Sequence, residues 1–378
     1  MSDSPILITG ATGFLGGFLA GELIKSGRKT VLTVRPKGKE TAFQRVGNLL
    51  RFLNIEAKHK PIVIPAEIDK PGLGLSEEHQ RILRDIPEVL HCAADTSFAE
   101  RKKQEVETTN LQGLRNVFDV VPNCERFLHM SSAYSAGKQV GLVKEEILYP
   151  PAFHNPYEQS KNEAEQLITE LCSAKRTRLT ILRPSITYGD SDTGKSLRFN
   201  ALYFPVRTLL FLRNSLEKDI LERSGKRAAT LGVSLNENGI MHLPLRFPGN
   251  GWLNLVPINF LVKAVTAIME SGETGIFHIV NPKSDTIGQL AQYIEKHYAI
   301  SGLDIADQAA HDSPLQILIN SYMDVYYPYF CDKRRFSDYR TRKILEPLGI
   351  ECPELTSAVF KRCMDFAEKA SWGSKIRV

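Results

Sequence analysis

The sequence predicts an α/β protein, a doubly wound parallel sheet joined to a smaller, mainly helical C-terminal lobe. Three observations carry this. Short runs rich in Ile, Leu and Val alternate with longer segments of helical spacing through the first half. That is the rhythm of a parallel sheet covered by helices on both faces. A glycine turn joins the first run to the first helical segment, and after residue 190 the rhythm breaks before briefly resuming.

In order, "PILIT" (5–9), "KTVLTV" (29–34), "KPIVIPA" (60–66), "EVLHCAA" (88–94), "RFLHMS" (126–131) and "LTILRP" (179–184) read as strands. Between them "FLGGFLAGELIKSG", "TAFQRVGNLLRFL", "EEHQRILRDI", "TTNLQGLRNVFDVV" and "YEQSKNEAEQLITELCSA" carry helical spacing. A helical, aromatic segment follows at 197–214, then an irregular stretch rich in Gly and Pro at 238–251. "LNLVPINFLVKAVTAIME" and "GIFHIVN" resume the strand-and-helix habit, and the tail from about 285 reads as helical. The expected organisation is a nucleotide-binding domain over 1–190, completed by about 251–284. The lobe then spans 191–378, drawn mainly from 191–250 and 285–378.

Composition narrows the function. The chain has 378 residues, 42% hydrophobic and 24% charged, as expected of a globular protein with a full core. A net charge of +5 is too mild to imply nucleic acid. No run approaches the roughly 18 apolar residues of a membrane span. "MSDSPILITG" leads directly into a strand, leaving no room for a signal peptide. Six scattered cysteines read as reduced thiols in a cytoplasmic protein. Neither Cys nor His clusters at metal-ligand spacing, so no metal is expected.

"ITGATGFLGGFL" places Gly10, Gly13 and Gly16 between strand and helix. Gly10 permits the tight turn, Gly13 close backbone approach to a pyrophosphate, and Gly16 close helix–strand packing. The helix N-terminus adds amide donors and a favourable dipole, with Thr12, Phe14 and Leu15 in the same cofactor-binding turn. The second strand ends "TVRPKGKE", with Arg35 where an acid would bind the ribose hydroxyls of NAD. A guanidinium suits a 2′-phosphate, so NADP(H) is expected. Tyr157 and Lys161 lie four residues apart on one helix face. A phenol with a pKa near 10 is a poor acid–base group near neutrality, and an adjacent ammonium lowers that value.

The Gly-x-x-Gly-x-x-Gly turn, "HMSSAYSAG" after the fifth strand and Tyr-x-x-x-Lys opening the next long helix resemble the extended short-chain dehydrogenase/reductase superfamily, with its Rossmann fold. The resemblance implies a catalytic trio of Ser132, Tyr157 and Lys161, with Lys161 also holding the nicotinamide ribose. It also implies that Asp69 contacts the adenine and that Ala93 and Ala94 pass beneath the cofactor. Asn110 opens an Asn-x-x-Gly helix segment, and Pro184, Ser185 and Ile186 lie beside the nicotinamide. For Asn110, helix capping is an equal reading.

"LRPSITYGDSDTGKS" (182–196) looks like the branch of thioester reductases and fatty acyl-CoA reductases, supported by "VRPKGKETAFQRV", "LGLS" (73–76) and "LNLVPINFLVKAV". This makes Arg45 a second candidate for the 2′-phosphate. The resemblance covers roughly residues 5–285, and "HCAADTSFAER" departs from the versions associated with that branch. It implies NADPH-dependent reduction of an acyl thioester, on coenzyme A or a carrier protein, to the aldehyde or on to the alcohol. Two alternatives stay open. One is a ketone or aldehyde reductase or sugar-nucleotide enzyme, the other a non-catalytic NADP-sensing regulator.

Phe199, Leu202, Tyr203, Val206, Leu209 and Leu210 fall near helical spacing, with Phe211 and Leu212 off that face. Lobe core is the expected reading of this stripe, with cover over an acyl chain or contact with a membrane surface as alternatives. The basic run "DKRRFSDYRTRK" (332–343) is read as a solvated face, the alternative being a surface for a carrier protein or the phosphates of coenzyme A.

Overall fold

The computed structural model describes residues 4–307 and 313–378; residues 1–3, and 308–312 of the expected lobe, lie outside it. Seven strands form one parallel sheet: β1 (Ile6–Thr9), β2 (Thr30–Val34), β3 (Ile62–Pro65), β4 (Glu88–His91), β5 (Arg126–Met130), β6 (Arg178–Pro184) and β7 (Gly275–Ile279). Their order is β7-β6-β5-β4-β1-β2-β3. The chain therefore leaves β1 toward β2 on one side and later returns to β4 on the other. At such a switch point a crevice opens beyond the carboxyl ends of the strands.

The residues explain the layering. β1, β2 and β5 are buried along their whole length, as strands covered on both faces must be. One face is sealed by helices Phe14–Lys25 and Ile258–Ser271, the other by helices that include Gly113–Asp119 and Pro156–Lys175. The tail contributes too, since Leu345 joins the first of these cores.

The lobe core is separate and gathers Tyr203, Val206 and Leu209 of helix Tyr203–Glu222 with Leu290, Ile319 and Phe360. That helix begins later than the sequence suggested, so Phe199 and Leu202 precede it. Leu212, read as off the buried stripe, is buried, and Phe211 is exposed. The stretch read as irregular contains an eight-residue strand, Met241–Pro248, whose alternate side chains Met241, Leu243, Leu245 and Phe247 are buried. It pairs in parallel with Ile300–Ala306, a strand in the tail read as helical. The lobe thus carries a small sheet beside its helices.

The basic run is only partly absorbed by the fold, since Lys333, Arg335, Arg342 and Lys343 stay exposed, in line with the solvated face expected. Arg334 is buried against Asp332, Arg340 lies over the Phe277 ring, and Arg342 pairs with Asp338.

Candidate active site

A cleft of about 920 Å³ occupies the switch point and continues into the lobe. Every cofactor-binding and catalytic candidate named from the sequence lines it except Asn110.

At its floor Gly10 has φ +68°, and a Cβ there would sit 2.6 Å from the Ala93 nitrogen. Only glycine lets this turn press onto the loop after β4. The Gly13 amide donates to the Gly10 carbonyl at 2.8 Å, closing the turn. Gly13 then caps helix Phe14–Lys25 with no side-chain hydrogen bond. The first amides of that helix are left facing the cleft, a site suited to a phosphate anion.

The cleft's outer end is cationic. Thr41 and Gln44 form a reciprocal capping box that starts helix Ala42–Leu53 and sets Arg45 in its first turn. Arg45 is buried; its Nη1 donates to the Arg35 carbonyl at 2.6 Å and its Nη2 to the Val378 carbonyl at 3.3 Å. Its Nε has no hydrogen-bond partner among the described residues. Burial, then the nearby charges of Arg198 and Arg35, hold its pKa below the usual arginine value, against the attraction of Glu40. Arg35, Arg45 and Arg198 all line the cleft. Three like charges lining one end of a cleft suit it to a multivalent anion. Arg198 was not singled out from the sequence.

At the inner end Ser132 follows β5 and caps a short helical turn, its Oγ accepting from the Tyr134 amide at 3.2 Å. Asn155 and Pro156 open helix Pro156–Lys175, the Asn155 side chain accepting from the Glu158 amide at 3.1 Å. This puts Tyr157 and Lys161 on the face toward the cleft.

The electrostatics differ from the sequence expectation. Lys161 Nζ donates to the Met130 carbonyl at 2.8 Å. Burial lowers its pKa to about 8, opposed by Cys92 and Glu165. Burial likewise pushes the Tyr157 phenol up to about 12, opposed by a hydrogen bond with Ser132 and reinforced by Glu158. Lys161 does not acidify this tyrosine in the structure. Burial therefore favours the protonated form of Tyr157.

Residues 8–265, more than half of the chain, match the male sterility protein family. The chain belongs to that family. This male sterility protein family member is 35% identical to rat fatty acyl-CoA reductase 1 over 161 residues, 39% of this chain and 31% of the rat protein. It is 29% identical over 199 residues to the isonitrile lipopeptide synthase of Streptomyces coeruleorubidus, 50% of this chain and 13% of that one. The aligned part thus spans about a third or less of these curated relatives. Among solved structures, the terminal R domain of the myxalamid PKS-NRPS pathway superposes with a TM-score of 0.75 at 21% identity, covering 100% of this chain and 93% of that one. UDP-glucuronic acid 4-epimerase of Bacillus cereus, solved with NAD, superposes at 0.65 with 17% identity over 98% of each chain. These likenesses establish the fold. The resemblance to fatty acyl-CoA reductases read from the sequence agrees with the family match and with the rat relative.

Two further groups in the family member's site position others. Asn110 lies in a π-helical turn, Thr108–Gln112, inside an otherwise α-helical run. Its amide oxygen accepts from the Asp95 nitrogen at 2.8 Å, and its Nδ2 donates to the Asp95 carbonyl at 2.9 Å and to Ser160 Oγ at 2.8 Å. Asn110 therefore ties the loop after β4 to the helix of Tyr157, and its side chain does not line the cleft.

Glu165, one turn beyond Lys161, is fully buried and accepts from Ser131 Oγ, Ser135 Oγ and the guanidinium of Arg183, with Nη2 at 2.5 Å. The sequence reading passed over both partners of this ion pair, although Arg183 lies in the "LRPS" stretch it quoted. Removing one partner leaves an uncompensated buried charge. Arg183→Met is expected to cost about 3 kcal/mol of folding stability, read as a lower urea midpoint. An unchanged midpoint would show that the pair contributes nothing net.

Among the described residues no group of three or more His, Cys, Asp or Glu side chains is placed to hold a metal ion, and no helix is long and apolar enough to cross a membrane.

Proposed function

We propose that this protein uses NADPH to reduce an acyl thioester, carried by coenzyme A or a carrier protein, to the aldehyde. The observation that carries the reading is the junction at Ser132 and Tyr157. Their two hydroxyls meet where the phosphate-ready glycine turn gives way to the apolar wall of the lobe. The glycine turn would hold the pyrophosphate, Arg35, Arg45 and Arg198 the 2′-phosphate, Asp69 the adenine side and Lys161 the nicotinamide ribose. Ala93, Ala94, Pro184, Ser185 and Ile186 would bound the rings. When bound, the cofactor supplies the hydride.

Ser132 and Tyr157 then act on the thioester oxygen. Ser132 accepts from the Tyr134 amide, which leaves its own hydroxyl hydrogen to donate. A thioester carbon that gains a hydride becomes a tetrahedral oxyanion, and these two donors stabilise the charge as it develops. A phenol held protonated is suited to this task. Collapse of the oxyanion re-forms the carbonyl, breaks the carbon–sulfur bond and expels the thiolate, which takes a proton from solvent to become the free thiol. A second hydride delivered to the aldehyde would give the alcohol.

The rat relative, named a fatty acyl-CoA reductase, supports the coenzyme A arm. An archaeal thiolation-reductase di-domain that shares the fold, with a TM-score of 0.68 at 17% identity over 99% of this chain and 77% of that one, makes the carrier-protein arm the natural comparison. Six free cysteines support assignment to the cytoplasm.

The test follows NADPH absorbance and free thiol together, with acyl-CoAs, acyl-carrier proteins, aldehydes and ketones as substrates. Oxidation with equal thiol release is expected. Oxidation only with aldehydes or ketones would replace the thioester reading by carbonyl reduction, and tight NADPH binding without turnover would make the protein a sensor.

A further inference from the structure

The inner half of the cleft has its own chemistry. From Leu202 onward every lining residue is apolar except Tyr326 and Tyr329. The Tyr329 hydroxyl is engaged elsewhere, donating to Glu158 Oε1 at 2.8 Å and accepting from Asn155 Nδ2 at 2.7 Å. Protein cores are close-packed, with few voids larger than a water molecule. A carbon-walled chamber within the lobe core, continuous with the space beside Tyr157, is therefore built to take an apolar ligand.

The chamber has a direction. Ile186, beside the expected nicotinamide, pairs with Leu255, two residues after Leu253. Leu253 in turn pairs with Asp285, just before helix Ile287–Tyr298. That helix turns Ile287, Leu290, Ala291 and Ile294 onto the chamber, the i, i+3, i+4, i+7 spacing of one face. From Ile287 to Ile294 the helix advances about 10 Å along its axis, at 1.5 Å per residue. Phe360 also lines the chamber and packs beside the second half of that helix, its ring 5.8 Å from that of Tyr293 and 6.3 Å from that of His297.

We infer that this chamber binds the alkyl tail of the acyl group, and that Ala291, Ile294 and Phe360 set the longest unbranched tail accepted. The inference rests on the thioester reading for the identity of the head group, but not for the chamber itself. Each methylene buried in a matching apolar wall improves binding roughly fourfold. Displacing two of them therefore gives at least about a tenfold effect.

The experiment measures kcat/KM for saturated acyl-CoAs from butyryl to stearoyl, and calorimetric binding of 1-decanol, on the full chain. Ala291→Phe is expected to lower the ratio of palmitoyl to hexanoyl turnover at least about tenfold and to weaken decanol binding by a similar factor. Phe360→Ala, which enlarges the chamber, is expected to move the ratio the other way, so the proposal does not hang on one overpacked variant folding. Unchanged chain-length profiles in both variants, or decanol bound equally by wild type and Ala291→Phe or by neither, overturn it. If neither acyl-CoAs nor acyl-carrier proteins are reduced while decanol binding still depends on Ala291, the thioester reading falls and the chamber stands.

Discussion

Tyr157→Phe is expected to lower kcat for thioester reduction by about 10³, while the NADPH dissociation constant moves by no more than about threefold. The substitution removes one oxygen and keeps the ring. That ring stacks on Phe98, with centroids 6.0 Å apart, and Phe98 stacks in turn on Tyr329 at 5.6 Å. The aromatic wall therefore survives, and the loss reports the missing donor. Initial rates and NADPH fluorescence titration measure the two effects separately. Retained kcat would remove Tyr157 from the chemistry, whereas a parallel loss of NADPH binding would make it a cofactor ligand.

The pH profile completes this test. Tyr157, held up to about 12, contributes no limb at neutral pH. Lys161, lowered to about 8, gives up its proton as pH rises through that value. If its ammonium serves turnover, kcat/KM falls above about pH 8, since that parameter follows the free enzyme's groups. Lys161→Arg keeps a charge at every accessible pH and is expected to abolish that limb while lowering the plateau. A limb that persists in Lys161→Arg belongs to another group.

Why some of this was legible in the sequence and some was not is a matter of range. The glycine turn and the seven-stranded sheet rest on local patterns, and so does the cap before Tyr157, where Asn155 and Pro156 each have one favoured place at a helix start. Strand Met241–Pro248 also alternates, but Pro244 and the flanking glycines disguised it as a loop. The structure resolves this, because pairing with Ile300–Ala306 shifts register between His242 and Leu245. Pro244 sits in that irregularity, where a missing N–H is tolerated. The direction of the Tyr157 shift was missed for another reason. Spacing places two groups on one face, but their pKa values follow burial, which depends on what the whole fold packs around them. Arg198 and Glu165 act through partners far away in sequence, so no local pattern marks them.

The double variant Arg35→Ala, Arg45→Ala is expected to weaken NADPH binding by about 10³ and to leave NADH nearly unaffected. Hydrogen bonds to charged groups contribute roughly 1.5–3 kcal/mol each, or about 10- to 100-fold per arginine. Arg45 is buried and its pKa depressed, first by burial and then by Arg198 and Arg35, so the folded chain holds these like charges together at a cost. A dianionic 2′-phosphate would offset that repulsion. A neutral ribose hydroxyl does not, which is why the loss should be confined to the phosphorylated cofactor. Rising salt should weaken NADPH binding to the wild type more than to the double variant, because Arg35 is exposed and open to screening. NADH measured on the same preparation controls for damage to the turn, since Arg45 also holds the Arg35 carbonyl. Equal losses for the two cofactors would mean that the arginines support the loop and read no phosphate.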